Sequence, residues 1–188
     1  MPNFRRNWAP GGTFFFTVVT AGRSRLFADE SARTLLGACF RQERITRPFS
    51  VDAIVLLPDH LHALWTLPPS DFDFATRWSA IKSRFTRDWL ASGGPEQGVP
   101  PGQQAQGRRG VWQARSFEHT IRDEDDLIQH VNYIHFNPVK HGLAKCPREW
   151  PWSSFRRFVN QGDYPIDWAC SQQSQAPRFD GIKTGMME

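Results

Sequence analysis

His60 and His62 stand two residues apart in the run Pro58-Asp59-His60-Leu61-His62-Ala63-Leu64-Trp65. In a β-strand alternate side chains share a face, so His60, His62, Leu64 and Thr66 point one way and Leu61, Ala63, Trp65 and Leu67 the other. Two neutral imidazoles fixed by strand geometry need only one or two more donors to hold a metal ion. A lone His-x-His is more often structural than functional, so its partners decide the matter. They are found in a helix-like stretch near residue 130. Tyr133 and Asn137 are four apart there, and Tyr164 is the one other tyrosine in the chain. The Asn137 carbonyl can serve as a third ligand, leaving open positions for a phosphate oxygen and water. A divalent metal there would polarise a phosphodiester and stabilise the charge of its displacement. Tyr133, one helical turn before Asn137, would stand beside that phosphate as a nucleophile able to keep it in a covalent bond.

The elements that must position these groups follow from periodicity. Residues 13–20, rich in Phe, Val and Thr, form a first strand after Gly11-Gly12. Apolar residues Ala32, Leu35, Leu36, Cys39 and Phe40 give a helix over residues 29–45, stopped at Arg47-Pro48. Strands over 50–57 and 60–67, joined by Pro58-Asp59, make an antiparallel hairpin. A second helix over 72–91, capped by Asp71 or Asp73, carries Phe74, Trp78, Ile81, Phe85 and Trp89 on one stripe. A fourth strand falls within 114–122. The next helix begins at Asp123, with acidic residues in its first turn and an end at Pro138. Its buried stripe is Leu127, Val131 and Ile134, and Asp126, His130, Tyr133 and Asn137 form a separate polar stripe. The order strand, helix, strand, strand, helix, strand is that of an α+β, ferredoxin-like split βαβ fold. It has an antiparallel four-stranded sheet and an appended helix carrying Tyr133. The sheet face away from the first two helices is expected to be open and to present both histidines.

One domain is expected over residues 1–170, with a Gly-, Pro- and Gln-rich flexible loop insertion at 92–110 and a polar tail at 171–188. No apolar run reaches the ~18–20 residues of a membrane span, and the N-terminal segment lacks the apolar core of a secretory signal, so a cytoplasmic location is expected. Cys39, Cys146 and Cys170 are too few and too irregularly spaced for a disulfide framework or a zinc site, and Cys39 falls on a buried helical stripe. The net charge of +4 leans towards a polyanionic partner. His119, His130, His135 and His141 are assigned structural roles.

Leu57-Pro58-Asp59-His60-Leu61-His62, followed by Asn132-Tyr133-Ile134-His135-Phe136-Asn137-Pro138-Val139-Lys140-His141-Gly142, resembles the HUH single-tyrosine transposases. Among these it is most similar to the REP-associated tyrosine transposases of bacteria, over residues 5–168. The resemblance implies that His60, His62 and Asn137 bind Mg²⁺ or Mn²⁺, Asn137 standing where the family often has Gln. It implies that Tyr133 cuts single-stranded DNA to leave a 5′-phosphotyrosine link and a free 3′-OH. It implies a palindromic (REP-type) hairpin in single-stranded DNA as partner and nucleoid association, with a monomer favoured and a dimer, as in relatives that trade the catalytic helix between subunits, the alternative. Arg5, Arg6, Arg77, Lys82, Arg122 and Lys140 are then the expected contacts to DNA.

Two other readings use parts of the same residues. A metal phosphodiesterase would need His60 and His62 but not Tyr133. A catalytically silent hairpin-binding protein would need none of the three.

Overall fold

The computed structural model describes residues 10–170 together with Pro177, Phe179 and Ile182. Arg5 and Arg6 are outside the described residues. Strand β1 (Thr13–Val19), helix α1 (Glu30–Thr46), strands β2 (Ser50–Leu56) and β3 (His60–Thr66) and helix α2 (Phe74–Ala91) follow in order. A one-turn α3 (Pro101–Gln104), strand β4 (Phe117–Thr120), helix α4 (Glu124–Lys140) and helix α5 (Phe155–Gln161) complete it. The sheet order is β2-β3-β1-β4 with every pairing antiparallel, which is the expected α+β ferredoxin-like arrangement with the histidine strand in the interior of the sheet.

Side-chain caps set the helix starts. Asp29 accepts from the Ser31 amide at 2.7 Å, Asp73 from Thr76 at 2.9 Å and Asp123 from Asp126 at 2.9 Å, satisfying donors that a helix N-terminus leaves unpaired. Helix α4 continues three residues past Asn137, through Pro138, where a stop was expected. A proline removes its own amide, but the later amides still find acceptors, and His141 N donates to Asn137 O at 3.0 Å.

Each face of the sheet is covered. On one side Phe14, Phe16, Val18, Leu61, Ala63 and Trp65 meet α1 and α2, and the Trp65 ring stacks on Trp78 at 4.2 Å. On the other side Phe15, Ala53, Val55 and Leu64 meet Tyr133 and Ile134 of α4. The face expected to be open is therefore roofed by α4, because the polar stripe and the apolar stripe of that helix both turn inward. Beyond α4, the chain returns along the β2 edge. Leu56 N donates to Trp152 O at 2.8 Å and Ser154 N to Ile54 O at 2.9 Å, which occupies edge groups that would otherwise invite another strand.

Two further expectations change. Cys146 and Cys170 are disulfide-bonded, because the return of the chain brings residues 24 apart in sequence side by side, while Cys39 is a buried thiol as expected. Within the polar tail, Phe179 and Ile182 pack against the cluster under α4, with the Phe179 ring 5.4 Å from that of Tyr133. No helix among the described residues is long and apolar enough to cross a membrane.

Candidate active site

The register of β1 against β3 places Thr17 opposite His62 and Val19 opposite His60, and cross-strand partners share a face. That face looks at α4. His60 and His62 are 2% and 1% exposed, and Tyr133 and Asn137 are 2% and 0% exposed. The two imidazole centroids are 5.0 Å apart, and the Tyr133 ring is 5.2 Å from that of His62. The sheet and the appended helix thus bring together the strand histidines and the helix tyrosine that the sequence singled out.

Each histidine is oriented through Nδ1. Asp59 accepts from His60 Nδ1 at 2.7 Å and is itself paired with Arg23 at 3.1 Å. Although burial opposes ionisation, those hydrogen bonds hold the Asp59 carboxyl down to about 2, so it is a carboxylate and His60 Nδ1 must carry the proton. The other ring nitrogen, His60 Nε2, is buried with no hydrogen-bond partner among the described residues. His62 Nδ1 meets Thr17 Oγ1 at 2.8 Å. Burial first, then the nearby basic groups of His60, Lys140, His141 and Arg23, keeps His62 well below the ordinary histidine range and hence neutral. Both polar atoms of the Asn137 amide are also buried and unbonded among the described residues. Buried polar atoms without partners are costly, and a cation bound by His60, His62 and the Asn137 oxygen would offset that cost. The donor set therefore fits a divalent metal ion.

Next to the tyrosine, Lys140 Nζ donates to the Tyr133 hydroxyl at 3.2 Å and lies 4.9 Å from the ring centre. Lys140, expected to contact DNA, is thus a neighbour of Tyr133. His141, assigned a structural role from sequence, stands 5.3 Å from His60 and lines a cavity of about 340 Å³ with Arg23, Arg25, Asp59 and His60.

The remaining expected contacts separate. Arg77 is 3% exposed and its guanidinium bonds Asp71, with further donors on the carbonyls of Asp73, Arg47 and Pro48. It ties the two loops at that end of α2 and presents nothing to DNA, since a buried guanidinium must satisfy its donors internally. Arg122 is exposed and bonded to Asp126 at 3.1 Å. Lys82 donates to Gln113 O at 3.0 Å and lines a large cavity away from the histidines.

A second cluster, His119, Asp126 and His130, also has ligand-type atoms within 4.8 Å of one another. Its carboxylate already takes His119 Nε2 at 2.8 Å and both Nε and the amide of Arg122, with His130 Nδ1 at 3.1 Å. A guanidinium on the same oxygen opposes a cation, so this is a hydrogen-bonded anchor between β4 and α4. Thr17, Asp59, Arg23 and His141 were missed from sequence. Asp59 beside His60 and His141 beside Lys140 were visible as neighbours, whereas Thr17 follows only from strand register.

A histidine pair on an interior strand of a ferredoxin-like sheet, roofed by a helix bearing one tyrosine, defines an HUH single-tyrosine transposase. The chain is 41% identical over 169 residues to the REP-associated tyrosine transposase of Escherichia coli, covering 90% of this chain and 92% of that one. It is 39% identical over 170 residues to a Haemophilus influenzae relative of the same kind, covering 89% and 93%. A solved structure of a REP-associated tyrosine transposase bound to a REP hairpin superposes with a TM-score of 0.74 at 40% identity, over 95% of this chain and 98% of that one. No protein-family model matches. The chain belongs to the REP-associated tyrosine transposase family.

Proposed function

We propose that this protein is a metal-dependent single-strand DNA endonuclease and strand transferase that acts at palindromic, REP-type hairpins. The observation that carries the reading is the meeting of Tyr133 with the buried, metal-competent set His60, His62 and Asn137 between β3 and α4. A Mg²⁺ or Mn²⁺ ion held there would supply Lewis-acid polarisation of the scissile phosphate. The chain's own groups do the rest. Asp59 and Thr17 fix the imidazoles, and Lys140 directs its ammonium at the Tyr133 oxygen, favouring the phenolate. Tyr133 Oη forms a bond to phosphorus, the bond from phosphorus to the 3′-side oxygen breaks, and that oxygen leaves as a 3′-OH after taking a proton. The phenol proton goes to solvent, and the 5′-phosphotyrosine link keeps the phosphodiester for rejoining.

Support for a hairpin substrate comes from the relative whose structure holds a REP hairpin. One chain supplies both the strand histidines and the helix tyrosine at 5.2 Å, which supports a monomer over a dimer as the unit of action. The reading takes residues 1–170 as a single domain, and a DNA substrate is in keeping with a cytoplasmic, nucleoid-associated location.

The test is a labelled single-stranded oligonucleotide carrying a palindrome from the chain's own genomic neighbourhood, incubated with Mn²⁺ or Mg²⁺ and run on a denaturing gel. A protein–DNA adduct is expected with wild type and absent with Tyr133→Phe and His62→Ala. Cleavage surviving Tyr133→Phe would instead identify a hydrolase, and hairpin binding without cleavage under either metal would identify a silent binder.

A further inference from the structure

Four rings form a chain of neighbours across the candidate active site. The Tyr133 ring is 5.2 Å from that of His62, His62 is 5.0 Å from His60, and His60 is 5.3 Å from His141. Tyr133 and His141 are eight residues apart along α4 and its C-cap, a rise of about 12 Å. The later helix residue therefore meets the earlier strand residue, so α4 and β3 run past each other in opposite directions. Tyr133 stands at the His62 end of the set His60, His62 and Asn137, and His141 stands at the His60 end.

The backbone at His141 is fixed while its side chain is left available. His141 N closes the helix on Asn137 O at 3.0 Å, Gly142 turns the chain at φ 67°, and Leu143 N returns to Pro138 O at 2.8 Å. The imidazole is exposed and makes no hydrogen bond among the described residues. It lines the cavity of about 340 Å³ with Arg23, Arg25, Asp59 and His60. The Asp59 carboxylate is already engaged by His60 and Arg23, so it does not take up the His141 ring. A capped helix end thus sets an imidazole against His60, at the mouth of a space next to the metal-competent groups.

Displacement at phosphorus puts the attacking and departing oxygens roughly in line, on opposite sides of the phosphorus. A phosphate beside His60, His62 and Asn137 would be attacked by Tyr133 from the His62 end. The 3′-oxygen then departs towards the His60 end, where His141 is. That oxygen gathers negative charge as its bond to phosphorus breaks, and a donor placed where charge develops lowers the barrier. Lys140 already serves the opposite end, on the Tyr133 hydroxyl. An imidazole carries an N–H in either protonation state, so both forms can donate.

This inference rests on the transposase reading above: we propose that His141 is a catalytic residue that donates a hydrogen bond to the departing 3′-oxygen. Tyr133 Oη bonds to phosphorus and the bond from phosphorus to the 3′-oxygen breaks, leaving its electron pair on that oxygen. The oxygen takes a proton from water in the cavity while the His141 N–H steadies its charge. In rejoining, the same N–H holds the 3′-hydroxyl in line with the phosphotyrosine. The hydroxyl proton passes to water as the oxygen returns to phosphorus, and Tyr133 leaves as the phenolate.

A bridging-sulfur substrate tests it. The probe is the hairpin oligonucleotide with the scissile 3′-oxygen, at the position mapped from the wild-type adduct, replaced by sulfur. A thiol has a pKa of about 8.5 and a water-like hydroxyl one of about 15.7, so sulfur departs without a donor. In single-turnover reactions with Mn²⁺, His141→Ala should form the adduct about a hundredfold more slowly than wild type on the oxygen substrate. On the sulfur substrate it should match wild type, which also shows that the variant is folded. Its Mn²⁺ affinity, measured by calorimetry without DNA, should equal that of wild type. Equal slowing on both substrates would make His141 a structural residue, and undiminished cleavage of the oxygen substrate would leave it no part in the reaction. Weaker Mn²⁺ binding would make it a metal ligand. Each of these three results overturns the proposal while the Tyr133-dependent adduct of wild type stands. Absence of an adduct with wild type on either substrate overturns the transposase reading as well.

Discussion

Nδ1 of His62 is held by Thr17 at 2.8 Å, a contact that exists because β1 and β3 place those residues opposite each other. Outer partners of this kind fix the ring and its tautomer, and their loss typically costs about 10–100-fold in metal affinity. Thr17→Val is therefore expected to weaken Mn²⁺ binding by about that factor in calorimetric titration, while Tyr133→Phe leaves it unchanged. Lys140 calls for a different measurement. If its ammonium acts on the Tyr133 oxygen, Lys140→Met should slow single-turnover adduct formation by about a hundredfold with little change in hairpin affinity. A change confined to affinity would return Lys140 to the role of a DNA contact. His60, His62, Tyr133 and Asn137 were legible in the sequence because strand and helix periodicities fix their faces. Thr17, Arg23 and His141 were not, since their roles depend on which strands pair and where the chain returns. Arg77 was misread for a related reason: charge is visible in a sequence and burial of that charge is not.

At the scale of elements, α4 carries both Tyr133 and Asn137, the proposed nucleophile and third metal donor, so its seating would control the site. Asp126 does much of that seating. It collects His119 from β4, Arg122 and His130 around one buried carboxylate, which those donors hold far below the usual carboxylate range against the opposing effect of burial. Asp126→Ala would strand several donors and is expected to cost about 3 kcal/mol in urea unfolding, with adduct formation falling more steeply than hairpin binding. Loss of the Asp123 cap, which touches one amide only, should cost about 1 kcal/mol. An equal cost for the two variants would show that Asp126 is merely part of the helix cap. The polar stripe Asp126, His130, Tyr133 and Asn137 was readable from helical spacing. Its inward direction was not, because a polar stripe normally faces water and here it faces the strand histidines.

For the molecule as a whole, the element order and the sheet followed from periodicity and turn residues, whereas the roof over the second face, the disulfide and the seat of Phe179 did not. The roof is α4 itself, and the disulfide and the seat of Phe179 are made by the chain returning after it, long-range events with no local signature. That return also buries titratable groups. His135 bonds Ser154 Oγ at 2.8 Å and packs against Phe155 and Phe158 of α5, and burial, assisted by Arg157, drives it down to about 3. Burial also lowers His130, with Asp126 opposing the shift. A histidine with a lowered folded-state pKa contributes stability that is fully present above its unfolded value near 6.5. The contribution is lost as pH falls below that value, because the unfolded chain takes up the proton first. At pH 5 the loss from His135 alone is about 2 kcal/mol. The metal-free protein should accordingly show a urea midpoint that is flat above pH 7 and drops steadily between pH 6.5 and 4.5, and His135→Phe should flatten part of that drop. A midpoint unchanged down to pH 4.5 would mean that these histidines are charged within the fold, and that the packing of α5 against α4 is looser than the structure has it.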